Sequence, residues 1–288
     1  MDKILVVGAG PAGMAAAIRA RQFGLQVQVI DRVDEEYEKV CGDGLTEQAV
    51  KELCVLGFSR ETLFAAGANV IHESMRLYPS GRREILDHKD MTYFCMRRIL
   101  LMKLMRSRAL SIGVDICFRT EFHPDMKADV IVDASGCHNR ARYGVRLPVG
   151  MSSVIYADAD PDLRTDTLYF VYPEEDGRGY CWAFPLPDGM WNVGAWDPMD
   201  PKRLRHWFDN FTDRYLNRYF HSVRTVRPLR GACLGTVKPG VPLCSEAVSC
   251  GDAAGLCDPC SGEGISYALR SGIEAADSIC LKYTDVKK

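Results

Sequence analysis

The 288-residue sequence contains no uninterrupted apolar run of the roughly 18 residues that a membrane-spanning helix needs. No part of it is expected to cross a bilayer, which leaves open a peripheral contact through an apolar surface. Long runs of like charge are missing too. The 36 basic and 38 acidic residues leave a formal net charge of -2, so there is no electrostatic footprint for nucleic acid. Without repeats or low-complexity stretches, neither a solenoid nor a disordered chain is in view. Cysteine is plentiful at 12 residues, but paired C-x-x-C units at zinc-ribbon spacing are absent, and no metal is expected. Most of the cysteines, such as Cys95 and Cys117 in apolar strand-like runs, read as small core residues. Cys41 and the pair Cys257 and Cys260 stand apart. The apolar N-terminus starts on an acid and is broken by glycines, which is not the pattern of a secretory signal. The expectation is a cytoplasmic protein that handles a small molecule.

The stretch Lys3 to Arg32 reads as a buried strand, a glycine turn, an alanine-rich helix and a second strand ending in an acid. Gly8, Gly10 and Gly13 form G-x-G-x-x-G directly after the apolar run Ile4 to Val7, and Asp31 follows Gly13 by 18 residues. Gly8 would permit the tight turn, Gly10 would let a pyrophosphate approach the backbone, and Gly13 would let helix and strand pack closely. The helix N-terminus, at Pro11 and Ala12, offers free N–H groups and a positive dipole end. Asp31 would accept hydrogen bonds from a ribose hydroxyl. The unit points to a bound dinucleotide.

Beyond it, Cys41-Gly-Asp-Gly-Leu45 is a glycine-rich turn that suits either backbone approaching a flat or anionic group, or a surface turn. Thr46 to Gly57 has helical spacing, and Ala68 to His88 reads as a hairpin about Pro79-Ser80-Gly81. A short strand at Tyr93 to Met96 precedes a helix over Arg97 to Ser111, followed by strands at Val114 to Phe118 and Ala128 to Ala134. The turn Asp133-Ala-Ser-Gly136 should lie near the cofactor, at the carboxyl end of its strand; Asp133 could alternatively cap a loop. Residues 151–199 turn to alternating aromatic-rich segments and predict a β-meander. Trp182, Trp191 and Trp196 there suit the wall of an apolar pocket, or else the core of the sheet itself. Asp200 to Phe220 predicts an amphipathic helix covering that sheet. From Val248 the sequence returns to the first unit, with a helix expected from about Gly262 to about Tyr283.

The fold class predicted is α/β: a Rossmann-like dinucleotide-binding domain (1–66, 89–150 and 241–288) with an inserted antiparallel β-sheet substrate domain (67–88 and 151–240).

Five motifs in this order, Gly8-Ala-Gly-Pro-Ala-Gly13, Cys41-Gly-Asp-Gly-Leu45, Asp133-Ala-Ser-Gly136, Tyr180-Cys-Trp-Ala-Phe-Pro185 and Gly251-Asp-Ala-Ala-Gly255 with Gly262-Glu-Gly-Ile265, run the length of the chain. Together they resemble the geranylgeranyl reductase family, part of the larger FAD-dependent group with the p-hydroxybenzoate hydroxylase fold. The resemblance implies FAD as the dinucleotide. It implies that Gly8, Gly10, Pro11, Ala12 and Gly13 hold the pyrophosphate, that Asp31 and the adjoining Arg32 lie at the adenosine ribose, and that one of Arg97 and Arg98 contacts the cofactor. Gly136, Gly251 and Asp252 would face the ribityl and pyrophosphate part, and Gly262, Glu263, Gly264 and Ile265 the flavin ring, where a helix N-terminus stabilises reduced flavin. Tyr180, Trp182, Phe184 and Pro185 would face an apolar substrate, and Cys41 would be redox-sensitive or handle protons, with an inert buried thiol as the alternative. Two departures stand out. The chain runs short of the C-terminal region that helps this family enclose long prenyl chains, and Cys257-Asp-Pro-Cys260 replaces a segment without paired cysteines.

The leading expectation is therefore an FAD-dependent oxidoreductase that reduces a carbon–carbon double bond of an apolar, isoprenoid-like substrate. Its electrons would come from NAD(P)H or from a ferredoxin-like partner protein. The alternatives are a flavin monooxygenase or oxidase, a dithiol–disulfide enzyme using Cys257 and Cys260, and an electron-transfer flavoprotein.

Overall fold

The computed structural model describes residues 3–88, 91–137, 147–198, 201–236, 243–244 and 246–285. In chain order, the first part forms β1 (Lys3–Val7), α1 (Pro11–Gln22), β2 (Gln26–Ile30), β3 (Gly44–Leu45), α2 (Glu47–Val55), α3 (Arg60–Ala65) and β4 (Asn69–Ile71). Next come β5 (Glu73–Leu77), β6 (Arg83–Asp87), β7 (Tyr93–Cys95), α4 (Arg98–Ser111), β8 (Asp115–Cys117) and β9 (Val130–Asp133). Then follow β10 (Val149–Ala159), β11 (Thr167–Val171), β12 (Tyr180–Pro185) and β13 (Met190–Asp197). The last part holds α5 (Pro201–Phe211), β14 (Phe220–Cys233), β15 (Val248–Ser249) and α6 (Ile265–Asp285).

A five-stranded parallel sheet, ordered β15-β9-β1-β2-β8, carries the glycine turn. The residues of β1 lack polar alternation because both faces are covered: Ile4 and Val6 pack towards α1, while Leu5 and Val7 join Ile30 on the other side. Alanines make α1 thin. An added Cβ at Gly272 of α6 would come within 2.2 Å of the Ala12 carbonyl oxygen, so the two helices meet backbone to backbone. The Thr46 hydroxyl caps α2 by accepting from the Ala49 N–H at 3.3 Å.

The second sheet has seven strands in the order β14-β10-β13-β12-β11-β5-β6. All of its pairs are antiparallel except β11 with β5. The predicted hairpin is β5 with β6, and the predicted meander is β11 to β13. Asn69–Ile71 does not continue the hairpin. It pairs with β7 in a small sheet ordered β3-β7-β4 that bridges the two larger ones.

The amphipathic segment packs as expected: Leu204, Trp207, Phe208, Phe211 and Leu216 lie in one cluster with Trp191, Val193 and Ala195. It runs from α5 through a π-helical turn, Thr212–Leu216, to Tyr219; Asp200, where the helix was expected to start, lies outside the described residues. Along β13 the side chains alternate between two environments. Trp191, Val193 and Ala195 face α5, and Asn192, Gly194 and Trp196 face the first sheet's loops. Trp191 is thus not part of a pocket wall, because the period of two puts it on the face opposite Trp182 and Trp196. Among the described residues no helix is long and apolar enough to cross a membrane.

Candidate functional site

The site is built where the carboxyl ends of β1, β2 and β9 meet the loops that lead to the second sheet. The three glycines of the turn differ in what surrounds them. Gly8 has φ +111°, and an added Cβ would lie 2.3 Å from the Ala134 carbonyl oxygen. At Gly13 it would lie 1.9 Å from the Gly8 carbonyl oxygen. At Gly10 nothing lies within 4 Å, so the backbone there faces open space. The N-terminus of α1 has Pro11 in its first turn, no side-chain cap and no acidic residue. Asp31 sits beside this turn. Its Oδ2 accepts from the Ala9 N–H at 2.7 Å and its Oδ1 from the Val33 N–H at 3.2 Å. Arg32, next to it, is exposed.

Asp133 does cap a loop: its Oδ1 accepts from the Ser135 N–H and Oγ at 3.1 and 2.6 Å. That bond turns the chain into Gly136, which again has nothing within 4 Å of an added Cβ.

Ion pairs gather around Asp252 and the start of α4. Lys39 Nζ lies 2.9 Å from Asp252 Oδ2. The Asp252 charge pushes Lys39 up, against the opposing effect of its burial. Burial would push Asp252 up, but Lys39 and then Arg98 outweigh it and hold the carboxyl below its ordinary range. The two arginines at the start of α4 part company. Arg97 pairs with Glu38 at 3.0 and 3.2 Å. Arg98 is 8% exposed, its charge acts on Asp252, Lys39 and Cys41, and its Nε has no hydrogen-bond partner among the described residues. Asp252 lies in a 3-10 turn, Gly251–Ala254, whose first N–H donates to Ser271 Oγ at 2.9 Å.

The last helix starts at Ile265 rather than Gly262. Gly262 takes φ +70° with an added Cβ only 3.1 Å from the Trp196 ring, and Glu263 accepts from Ser266 N–H and Oγ at 2.9 and 2.6 Å. The helix can begin only after this pair of constraints. Gly264, which follows, packs on Cys257 Sγ at 3.4 Å from an added Cβ.

An aromatic wall closes the other side. Tyr180, Trp182 and Phe184 of β12 pack edge-on or tilted against one another and against Phe170 and Trp196, at ring separations of 5.0 to 5.9 Å. The Tyr180 hydroxyl donates to the Ser261 carbonyl at 2.6 Å, and Pro185 ends the strand, buried. Gly42 lies against this wall, with Phe184 and Trp182 atoms 3.4 and 3.5 Å from an added Cβ. The Cys41–Leu45 turn therefore lies on the aromatic rings and is no free surface turn. Cys41 Sγ accepts from the Asp43 N–H at 3.3 Å. Burial, then the Asp43 charge, push its thiol up, so the sulfur keeps its proton at neutral pH.

Beneath the turn lies a polar network that sequence reasoning missed. Asn192 Nδ2 donates to the Cys41 carbonyl at 2.8 Å and to Asp43 Oδ2 at 2.6 Å. Trp182 Nε1 donates to Asn192 Oδ1 at 2.9 Å, and the Arg98 N–H donates to Asp43 Oδ1 at 2.9 Å. Ser152 Oγ donates to the Cys41 carbonyl at 3.0 Å and accepts from Arg227 at 2.6 Å. The one signal in the sequence is a lone asparagine at an inward position of the apolar run Met190 to Trp196.

Cys257 and Cys260 are both free thiols, one buried and one exposed. Cys257 Sγ donates to the Gly262 carbonyl at 3.4 Å, and burial pushes its pKa up. Among the described residues no group of three His, Cys, Asp or Glu could hold a metal ion.

The open backbone at Gly10, the uncapped helix end and the unpartnered Arg98 Nε fit a dinucleotide diphosphate, and the two sheets with the site between them define a flavoprotein of the FAD-dependent oxidoreductase class. The FAD binding domain family matches residues 1–145, and the chain belongs to that family. It is 29% identical to the menaquinone reductase of Mycobacterium tuberculosis (strain H37Rv) over 95% of its own length and 75% of that protein's. With the digeranylgeranylglycerophospholipid reductase of Thermoplasma acidophilum it shares 26% identity, covering 95% of the chain and 76% of the relative. In fold it is similar to a geranylgeranyl bacteriochlorophyll reductase-like protein of Thermoplasma acidophilum, with a TM-score of 0.76 and 21% identity over 99% of this chain and 79% of that one. A flavin-dependent brominase shares the fold equally well, with a TM-score of 0.79 and 20% identity over 97% of this chain and 79% of that one.

Proposed function

We propose that this protein is an FAD-dependent reductase that saturates a carbon–carbon double bond in an apolar, isoprenoid-like substrate. The observation that carries the reading is the Cys41–Leu45 turn lying against the Trp182 and Phe184 rings, which joins a proton-bearing thiol to an apolar wall. The names of the relatives add weight, since menaquinone and a digeranylgeranyl phospholipid both carry isoprenoid chains.

In this reading, Gly10, the N–H groups of Ala12 and Gly13, and Arg98 hold the diphosphate, with Asp31 on the ribose and Lys39–Asp252 on the ribityl side. Bound FAD, once reduced, supplies the hydride. The chain supplies the rest. The aromatic wall excludes water and orients the apolar substrate, Gly262 to Ile265 bring the α6 N-terminus to the site, and Cys41 Sγ offers a proton at neutral pH. Cys257, tied to the Gly262 carbonyl beneath the Trp196 contact, is assigned a packing role in place of a dithiol one.

The test is a yellow, FAD-loaded protein, reduced without oxygen and mixed with a soluble prenyl alcohol. Reoxidation of the flavin together with a product heavier by two hydrogens supports the reading. A product that has gained an oxygen atom when air is admitted would sink it in favour of a monooxygenase.

A further inference from the structure

Asn192 is fully buried in the middle of β13, with the outer core residues Trp191 and Val193 on either side. A primary amide in such a place must satisfy both hydrogens and its oxygen, and this one does, through Cys41, Asp43 and Trp182. Its orientation is not free. An indole nitrogen can only donate, so Oδ1 has to face Trp182, and the two amide hydrogens have to face the Cys41 carbonyl and the Asp43 carboxyl. Asp43 must then present an unprotonated Oδ2, while its Oδ1 already takes the Arg98 N–H. We infer that Asn192 is a positioning residue that reads the charge on Asp43: it clamps the Cys41 turn to Trp182 while Asp43 is ionised, and it loses that bond when Asp43 takes a proton.

The surroundings of Asp43 put this change within reach. The carboxyl is 2% exposed, and burial raises its pKa to about 6, against the hydrogen bonds from Asn192 and Arg98. The charged and titratable groups facing it are Arg98 of α4, Arg227 of β14, Cys95 of β7, and Cys41 and Glu38 on its own loop. Protonated at Oδ2, the acid would set a donor against the Asn192 donor. Ser152 Oγ, itself held by Arg227, still ties the Cys41 carbonyl. The expected outcome is a reoriented amide and a shifted Trp182 indole, with the turn still folded. Only the consequence for turnover, a pH-dependent placing of Cys41, rests on the proposed function.

The experiment is a set of nitrogen-15 indole spectra of the FAD-loaded protein across about pH 4.5 to 8, with the Trp182 signal assigned by its loss in Trp182→Phe. The Trp182 Nε1–H resonance should move in one step with a midpoint near the Asp43 pKa, while those of Trp191 and Trp207, on the other face, stay still. Asn192→Leu and Asp43→Asn should each abolish the step, and Ser152→Ala should keep it. A Trp182 signal that does not move in the unsubstituted protein, or a step that survives in Asp43→Asn, overturns the inference. Should Asn192→Leu fail to fold, Asp43→Asn decides alone. A protein that does not bind FAD would overturn the proposed function instead, and the same titration of the FAD-free protein would still decide this point.

Discussion

Gly10 and Gly13 stand three residues apart in one turn, and their surroundings predict opposite failures when each is changed to alanine. At Gly13 the new methyl would sit 1.9 Å from the Gly8 carbonyl oxygen, a backbone atom that can move only with β1. Overpacking of that kind costs about 1–3 kcal/mol or more. In a chain of this size each kcal/mol lowers Tm by about 2–4 °C, so Gly13→Ala should melt several degrees low whether or not FAD is present. At Gly10 the methyl meets nothing within 4 Å, and φ -77° with ψ -176° is an extended conformation open to any residue. Losing a glycine at the helix cap costs at most about 1 kcal/mol, and restricting the unfolded chain returns about 0.4–1 kcal/mol, so the FAD-free Tm should stay within about 2 °C. In the proposed function the same methyl would stand where the diphosphate approaches the backbone. Losing one charge-assisted hydrogen bond costs about 1.5–3 kcal/mol, so FAD should bind roughly 10- to 100-fold more weakly. Thermal melts of the FAD-free variants, set beside titrations of FAD fluorescence, separate the two effects. The reasoning is refuted if Gly10→Ala melts as low as Gly13→Ala, or if it binds FAD as tightly as the parent.

Three further outcomes are expected. Asp43 has a folded pKa of about 6, raised above the ordinary carboxylate value by burial. The folded state therefore holds the extra proton, and stability is lost as pH rises from about 4 to 6, by about 3 kcal/mol at most; urea unfolding of the parent and Asp43→Asn at both ends of that range should show the parent alone losing it. Lys39→Met leaves Asp252 without its partner in a half-buried position. It should cost about 1–2 kcal/mol, with the loss largely recovered in the double variant with Asp252→Asn, as a double-mutant cycle by chemical denaturation would show. Cys260→Ser should leave stability and turnover unchanged, whereas Cys257→Ser should destabilise by about 1 kcal/mol without abolishing turnover; loss of activity in both would restore the dithiol chemistry.

The parts of the fold that the sequence revealed are those whose burial repeats along the chain. β1, α1 and β2 are recognisable because a strand covered on both faces, an alanine-rich helix and three glycines each have one physical reason to stand there. The hairpin and the meander follow from alternation broken by glycine turns. β14 escaped notice because it is an edge strand with nearly all of its 14 residues outside the core and with register shifts against β10, so no period of two survives. α3 has only six residues and buries Leu63 alone, too little for a helical stripe. At the site, the glycines and Asp31 could be found from spacing. Asn192, Ser152 and Arg227 could not, since their meaning lies in what faces them across 75 to 151 residues of chain. Arg97 and Arg98 likewise differ through Glu38, which pairs with the first while the charge of the second acts on Asp252.

The alternation along β13 has a consequence for how such a protein can change over time. Odd-numbered positions from Trp191 to Ala195 anchor the strand to α5, and even-numbered positions from Asn192 to Trp196 address the site. A substitution on one set leaves the other set's neighbours untouched. Freedom within the site-facing set is uneven: an added Cβ at Gly194 would lie 2.2 Å from the Trp182 ring and Asn192 is held by three hydrogen bonds, so change there must come with change in Trp182 or the Cys41 turn, while the anchoring to α5 is inherited unaltered. A single inserted or deleted residue exchanges the two sets at once. Length in this strand should be guarded by selection as closely as the glycine at Gly194.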